Sequence, residues 1–153
     1  ELIQNIFKKE SVRLLDRDSS QQLTDGEIPK LKILLAEDSE DNQLLIKTYL
    51  SKTPHQIVSA ENGEIAVQKF KSGNFDLVLM DCQMPVMDGF EATKRWRNQE
   101  QLLTLGRIPI IALTANAMQG DEERCLAAGM DAHLAKPINL EALATILSQW
   151  LPH

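Results

Sequence analysis

The chain has 153 residues, of which 43% are hydrophobic and 25% charged, and its formal net charge is −6. These values are those of an ordinary globular protein, large enough for one domain with a core and a tail. An acidic chain without a basic run or basic helix face is not expected to bind nucleic acid directly. No apolar window approaches the roughly 20 residues that span a bilayer, so we expect no membrane contact by this segment.

The two cysteines, Cys82 and Cys125, are far apart in the sequence and form neither a metal motif nor a disulfide framework. A reduced, cytoplasmic location is the simplest interpretation. The chain begins with Glu1 instead of Met. We therefore expect a piece of a longer protein, whose remainder could be anchored in a membrane, although processing would look the same.

Residues 1–16 carry apolar side chains between charges, but Glu10 and Ser11 interrupt their helical spacing. Residues 16–27 are polar, as in a linker or loop. We assign residues 1–29 to a linker or N-terminal extension that could be partly helical, and residues 30–153 to the domain proper.

From residue 31 onward, five short apolar segments alternate with segments of helical spacing. Strands are predicted at residues 33–36, 56–60, 77–81, 108–113 and 132–135. The first helix is capped by Ser39 or Asp41 and carries Leu44, Leu45 and Tyr49. The fourth ends at Gly129, which suits the left-handed position after a helix. Such alternation predicts a parallel sheet with right-handed crossovers and helices on both faces.

Polar side chains follow four of these strands, and parallel strands bring their carboxyl ends to one edge. They are Glu37, Asp38, Asp81, Thr114 and Lys136. Three carboxylates this close repel one another unless a cation lies between them, and Mg²⁺ prefers such oxygen ligands. With a lysine and a hydroxyl beside them, they predict a phosphoryl-acceptor site in which Asp81 attacks phosphorus.

Each feature has a simpler explanation when it is taken alone. Glu37 and Asp38 could merely favour a helix N-terminus, Thr114 could cap a strand, and Lys136 could be a solvated surface lysine. Their joint placement on successive strand ends favours the phosphoryl site.

The motifs resemble those of a known family, the receiver domains of two-component response regulators. The match covers about residues 31–151. Five motifs agree with the family in both order and spacing: Ala36-Glu37-Asp38, Met80-Asp81, Met84-Pro85-Val86-Met87-Asp88-Gly89, Leu113-Thr114-Ala115 and Leu134-Ala135-Lys136-Pro137-Ile138. The resemblance implies an α/β, flavodoxin-like, doubly wound sheet of five parallel strands in the order 2-1-3-4-5, with five helices. It also implies that Asp81 is the phosphoacceptor, that Thr114 and Lys136 contact the phosphoryl group, and that the bond before Pro137 is cis. The Mg²⁺ ligands, with Mn²⁺ as a possible substitute, would be Glu37, Asp38, Asp81 and the backbone carbonyl of Gln83.

One position departs from the commonest family pattern. Three residues before the lysine, where Tyr or Phe often acts as a switch, this chain has His133. An imidazole is smaller than a phenol ring and costs more to bury when charged. We therefore expect a weaker, pH-sensitive switch through Thr114 and His133, presented on the face formed by the fourth helix, fifth strand and fifth helix. That face could also join two copies of the chain.

Two neutral residues, Gln83 and Asn116, lie two positions beyond Asp81 and Thr114. Neither can act as a general base, so slow dephosphorylation is expected. The amino-acid sequences of residues 37–43 and 81–85 are most similar to those of receiver domains fused to hybrid sensor kinases. A histidine kinase or histidine phosphotransfer protein is the implied partner, and the domain would catalyse its own phosphorylation and dephosphorylation.

Three rival functions are weaker. A magnesium-dependent phosphatase with an aspartyl nucleophile commonly places a second acid two residues later, where this chain has Gln83. A nucleotide-binding domain would need a glycine-rich loop after the first strand. A degenerate receiver that only docks proteins would not need the complete set of acids, hydroxyl and lysine.

Overall fold

The computed structural model describes residues 30–115 and 119–150, and the extension predicted at residues 1–29 lies outside these ranges. Five strands alternate with five helices in the described part of the chain. The strands are β1 (Lys32–Ala36), β2 (Gln56–Ala60), β3 (Leu77–Asp81), β4 (Ile110–Thr114) and β5 (Ala132–Ala135). The helices are α1 (Glu40–Leu50), α2 (Gly63–Ser72), α3 (Gly89–Leu102), α4 (Gln119–Ala128) and α5 (Leu140–Gln149).

All strand pairs are parallel, and the strands lie in the order β2-β1-β3-β4-β5, which confirms the predicted flavodoxin-like topology. Parallel strands that lie side by side also end side by side. The residues at these ends form what we call the carboxyl rim, defined as Glu37, Asp38, Asp81, Thr114 and Lys136.

The sheet is covered on both sides because alternate residues of each central strand face opposite ways. Ile33 and Leu35 belong to a buried cluster completed by α1 and α5. Leu34 and Ala36 belong to a second cluster, which α2, α3 and α4 complete and which contains Trp96. Every residue of β3 is buried, as predicted for a strand covered on both faces.

Short polar side chains start four of the helices by accepting hydrogen bonds from first-turn backbone N–H groups. These caps are Ser39, Asn62, Asp88 and Asn139. The cap of α1 is thus Ser39, one of the two predicted candidates. Gly129 follows α4 with a φ of 107°, the predicted left-handed conformation.

Helix α1 contains Leu44, Leu45 and Tyr49, as predicted. Its buried residues are Ile46 and Leu50, which lie four apart on the face that meets the sheet, and Leu44 is 65% exposed. One boundary of the sequence prediction was wrong: β4 begins at Ile110 instead of residue 108, because Pro109 has no N–H to give to a strand ladder.

A buried charge cluster lies at the opposite, amino edge of the sheet. The guanidinium of Arg97 lies 2.7 Å from Asp131 and 2.9 Å from Glu100, and it donates to the carbonyls of Ile108 and Gly129. The side chains of Arg97 and Asp131 are each 12% exposed. The cluster therefore ties α3 to the segments that lead into β4 and β5.

His55 also lies before a strand, at the start of β2. Its Nδ1 accepts the backbone N–H of Leu31 at 3.1 Å. Burial lowers the pKa of His55 to about 4, although the charge of Asp76 acts in the opposite direction. The imidazole is thus held neutral as a hydrogen-bond acceptor. Separately, no helix within the described ranges combines the length and apolar character that a bilayer span requires.

Candidate phosphoryl-acceptor site

Three acidic side chains meet at the carboxyl rim, as the sequence predicted. Ligand oxygens of Glu37, Asp38 and Asp81 all lie within 4.8 Å of one another. The parallel register pairs Ala36 with Met80, so the next residues, Glu37 and Asp81, lie side by side. Glu37 and Asp81 are buried, whereas Asp38 is exposed.

Lys136 supplies the positive charge predicted for this cluster. Its Nζ lies 2.9 Å from Oε1 of Glu37 and 3.0 Å from Oδ2 of Asp81. Its backbone N–H donates to the carbonyl of Thr114 at 2.7 Å, and its bond to Pro137 is cis, as the resemblance implied. The lysine thus stands between two buried carboxylates.

The two buried carboxyls differ in how readily they ionise. Burial raises the pKa of Asp81 to about 7, because the hydrogen bonds from Lys136 and from the Gln83 N–H offset only part of the desolvation. Burial also opposes ionisation of Glu37, but bonds from Lys136 and the backbone N–H of Ser39 hold its pKa below the ordinary value. Glu37 is therefore ionised at neutral pH, whereas the charge of Asp81 depends on pH near neutrality.

The acidic cluster fits a hard divalent cation. One lysine does not neutralise three carboxylates, and the raised pKa of Asp81 is the consequence of its burial beside a second acid. A cleft of about 560 Å³ opens beside them, lined by Asp38, Gln83 and Arg124 among others. It leaves room for the water and phosphate oxygens that Mg²⁺ retains. Glu37, Asp38 and Asp81 are therefore suited to hold Mg²⁺.

Gln83 lies next to this cluster, as its predicted role as a carbonyl ligand requires. Its backbone N–H donates to Oδ1 of Asp81 at 3.1 Å, and its exposed side chain lines the cleft. The backbone then turns back, and the N–H of Gly89 donates to the carbonyl of Cys82 at 3.1 Å. The loop after β3 thus holds the start of α3 against the end of the acceptor strand.

Thr114 brings the predicted hydroxyl to the rim, but the structure gives it a partner that was not predicted. The residue is 2% exposed, and its Oγ1 donates to Oδ2 of Asp121 on α4 at 3.2 Å. Sequence reasoning missed Asp121 because an acid in the first turn of a helix is common. The available signal was the position of this acid, seven residues beyond Thr114.

The other predicted residues lie apart from the acids. His133 is half-buried on β5, opposite Ala112, and lines a cavity of about 260 Å³ with Cys125 and Leu126 of α4. Asn116 lies outside the described residues. The roles of both in switching and lifetime therefore stay predictions.

The two cysteines, distant in sequence, are neighbours in the fold. Their sulfur atoms lie 3.8 Å apart, and both are free and buried. Burial raises the pKa of both thiols. A neutral thiol is a poor nucleophile, so Cys82 and Cys125 act here as packing residues that join β3 to α4.

Comparison with known families agrees with this geometry. A family model described as the response regulator receiver domain matches residues 33–148. The matched span contains the whole carboxyl rim.

Curated relatives include large sensor kinases. Sensor protein GacS of Pseudomonas syringae pv. syringae is 40% identical over 119 residues, which cover 78% of this chain and 13% of the relative. Hybrid signal transduction histidine kinase I of Dictyostelium discoideum is 44% identical over 122 residues, which cover 76% of this chain and 7% of the relative. The chain thus spans only a small part of the length of these relatives.

Two solved structures share the fold. One is the receiver domain of sensor histidine kinase PA1611 from Pseudomonas aeruginosa PAO1, with a magnesium ion coordinated in its active site cleft. It is 44% identical with a TM-score of 0.71, covering 79% of this chain and 97% of that chain. The other is the Saccharomyces cerevisiae Ssk1 receiver domain in complex with the histidine phosphotransfer protein Ypd1. It is 35% identical with a TM-score of 0.77, covering 80% of this chain and 89% of that chain.

Proposed function

This chain belongs to the response regulator receiver domain family, and from that premise we propose that Asp81 accepts a phosphoryl group from a phosphohistidine of a partner protein. The observation that carries the proposal is the convergence of three carboxylates, two of which, Glu37 and Asp81, pair with the half-buried Lys136. A cluster of this composition suits chemistry in which negative charge must be gathered and neutralised.

The transfer exchanges one bond to phosphorus for another. A carboxylate oxygen of Asp81 bonds to phosphorus as the bond to the donor imidazole nitrogen breaks, and the imidazole takes up a proton. Lys136, already 3.0 Å from Asp81, stabilises charge on the phosphoryl oxygens, and the Thr114 hydroxyl donates to one of them. Bound Mg²⁺, or Mn²⁺ in its place, supplies further charge neutralisation when held by Glu37, Asp38, Asp81 and the Gln83 carbonyl.

The signal then depends on lifetime and on movement. Gln83 lines the cleft beside Asp81, and Asn116 follows Thr114 by two residues in the sequence. Neither side chain can act as a general base for hydrolytic water, so the acyl phosphate is long-lived. Movement of Thr114 toward the phosphoryl group, with His133 responding at the cavity behind it, is read on the face made by α4, β5 and α5.

The setting is that of a phosphorelay module. The donor is a histidine kinase or a histidine phosphotransfer protein, a choice supported by the complex of the histidine phosphotransfer protein Ypd1 with the receiver domain of its downstream response regulator Ssk1. We place the module, residues 30–153, in the cytoplasm after a linker at residues 1–29, within a hybrid histidine kinase. It turns over no external substrate and touches neither nucleic acid nor membrane, and the face of α4, β5 and α5 is available for pairing with a second copy.

Intact mass spectrometry after incubation with acetyl phosphate and Mg²⁺ tests the assignment. One phosphoryl group should be added to the wild type and to Asp41→Asn, an exposed acid of α1 that serves as the control. No addition is expected in Asp81→Asn or with a chelator. Undiminished phosphorylation of Asp81→Asn would overturn the proposal.

A further inference from the structure

The hydroxyl of Thr114 is already engaged in this structure. It donates to Oδ2 of Asp121 at 3.2 Å, and Asp121 is half-buried in the first turn of α4. An ionised carboxylate only accepts hydrogen bonds, so the proton in this bond belongs to the threonine. Bonds of this kind, to a charged acceptor, are stronger than bonds between neutral groups.

A hydroxyl has one proton to donate. While Asp121 holds that proton, Thr114 cannot also donate it to a phosphoryl oxygen at Asp81. The two acceptors therefore compete, and both are negatively charged. Engagement of Thr114 by the phosphoryl group requires that its bond to Asp121 be broken.

We propose that Asp121 is a positioning residue that holds the Thr114 hydroxyl in the unphosphorylated state and must release it on phosphorylation. The inference rests on the proposed role of Asp81 as phosphoacceptor. It adds to the site an acid on α4 that acts through Thr114, without touching the phosphoryl group.

The same bond carries the change to α4. Helix α4 meets the ends of two strands, through the bond of Asp121 in its first turn to Thr114 and through the contact of Cys125, further along the helix, with the sulfur of Cys82 at 3.8 Å. Release of Asp121 leaves the first turn of α4 without its bond to β4 and free to shift.

Binding of beryllofluoride with Mg²⁺, a stable phosphoryl mimic, measures this competition directly in the full chain. Asp121→Ala should bind it more tightly, by about threefold to tenfold, because the bond of Thr114 to Asp121 no longer has to be broken. Asp121→Asn, which keeps a weaker acceptor, should show a smaller gain. Glu123→Gln removes one charge from the exposed side of the same helix and should bind as the wild type does.

Double variants of Asp121 and Thr114 distinguish the proposed role of Asp121 from a general effect on stability. In a Thr114→Ala background the gain from Asp121→Ala should vanish, whereas Thr114→Ser, which keeps the hydroxyl, should preserve it. The methyl signal of Thr114 in free Asp121→Ala should also move toward its position in the wild-type beryllofluoride complex.

The outcomes distinguish the two proposals. If wild-type protein neither binds beryllofluoride nor accepts a phosphoryl group, the function proposed for Asp81 fails. If it does both, but Asp121→Ala matches the wild type or gains equally in the Thr114→Ala background, the role of Asp121 alone is overturned.

Discussion

A Cβ atom on Gly89 would stand 2.1 Å from the carbonyl oxygen of Asp81. The start of α3 therefore touches the backbone of the proposed acceptor, and only a residue without a side chain fits there. The contact is with backbone, which cannot rotate out of the way as a flexible side chain could.

Gly89→Ala should lower the free energy of unfolding by about 1–3 kcal/mol, as overpacking does. Gly106→Ala is the matched control, because no heavy atom lies within 4 Å of its added Cβ. Urea denaturation of both variants measures the difference. Equal stability of the two would show that the loop after β3 adjusts freely.

Lys136→Met should affect the site in two opposite ways. Removing a positive charge from between Glu37 and Asp81 should strengthen Mg²⁺ binding, since the cation then meets less repulsion. Phosphorylation by acetyl phosphate should nevertheless slow by about 10²–10³-fold, because charge on the phosphoryl oxygens loses a partner. Calorimetry gives the affinity and timed mass spectrometry the rate, with exposed Lys71→Met as the control. Weaker Mg²⁺ binding in Lys136→Met would contradict this account.

The part of the site that could be predicted from sequence is the part fixed by chain topology. Glu37, Asp81 and Thr114 each end or follow an apolar strand, and parallel strands leave little choice about where those ends lie. Contacts between helix faces were not accessible in this way. The bond of Thr114 to Asp121 depends on how α4 is rotated about its axis, and apolar spacing does not determine that rotation to within one residue.

In the fold, too, the features set by local sequence pattern could be predicted, and the long-range side-chain contacts could not. The hydrophobic periodicity and the turn residues predicted five strands and five helices along the chain, and the structure confirmed them. The order of the strands in the sheet, which the family resemblance implied, was confirmed as well. The charge cluster of Arg97 with Glu100 and Asp131 went unpredicted, because Asp131 is 34 residues away from Arg97. Long-range polar pairs of this kind have no periodic signature.

The stability of the protein should depend on pH through His55. Its pKa is lowered from 6.5 to about 4 on folding, so the folded protein binds the proton less readily than the unfolded chain. The stabilisation is fully present above pH 6.5 and is lost as the pH falls toward 4. His55→Asn, which keeps an acceptor for Leu31, should remove this loss, on the order of 1 kcal/mol for a partly exposed group.

The difference in stability between the wild type and His55→Asn isolates the contribution of His55. Asp81 also titrates in the window, with the opposite sign, because its raised pKa makes stability fall as the pH rises toward 7. It does so equally in wild type and variant, and its effect cancels in the difference. Denaturant midpoints measured from pH 4 to 7 test this, and parallel curves would exclude a role for His55.

Arg97→Met should be among the more damaging single changes in the chain. It leaves the buried Glu100 without its cation, which costs about 3–5 kcal/mol, while Asp131 keeps only its ion pair with the more exposed Arg107. Arg95→Met is a control on the same helix, because the ion pair of Arg95 with Glu91 is 57% and 50% exposed. Such a pair contributes at most about 1 kcal/mol. Chemical denaturation that ranks the two variants equally would refute the distinction.

The Arg97 cluster and the carboxyl rim lie at opposite ends of the same strands, about 16 Å apart for strands of five residues. One end secures the architecture and the other carries the proposed phosphoryl chemistry. Substitutions at the rim should therefore alter phosphoryl lifetime or partner choice while the Arg97 cluster keeps the domain folded. This separation makes the rim the part of the domain that can be re-engineered without unfolding it.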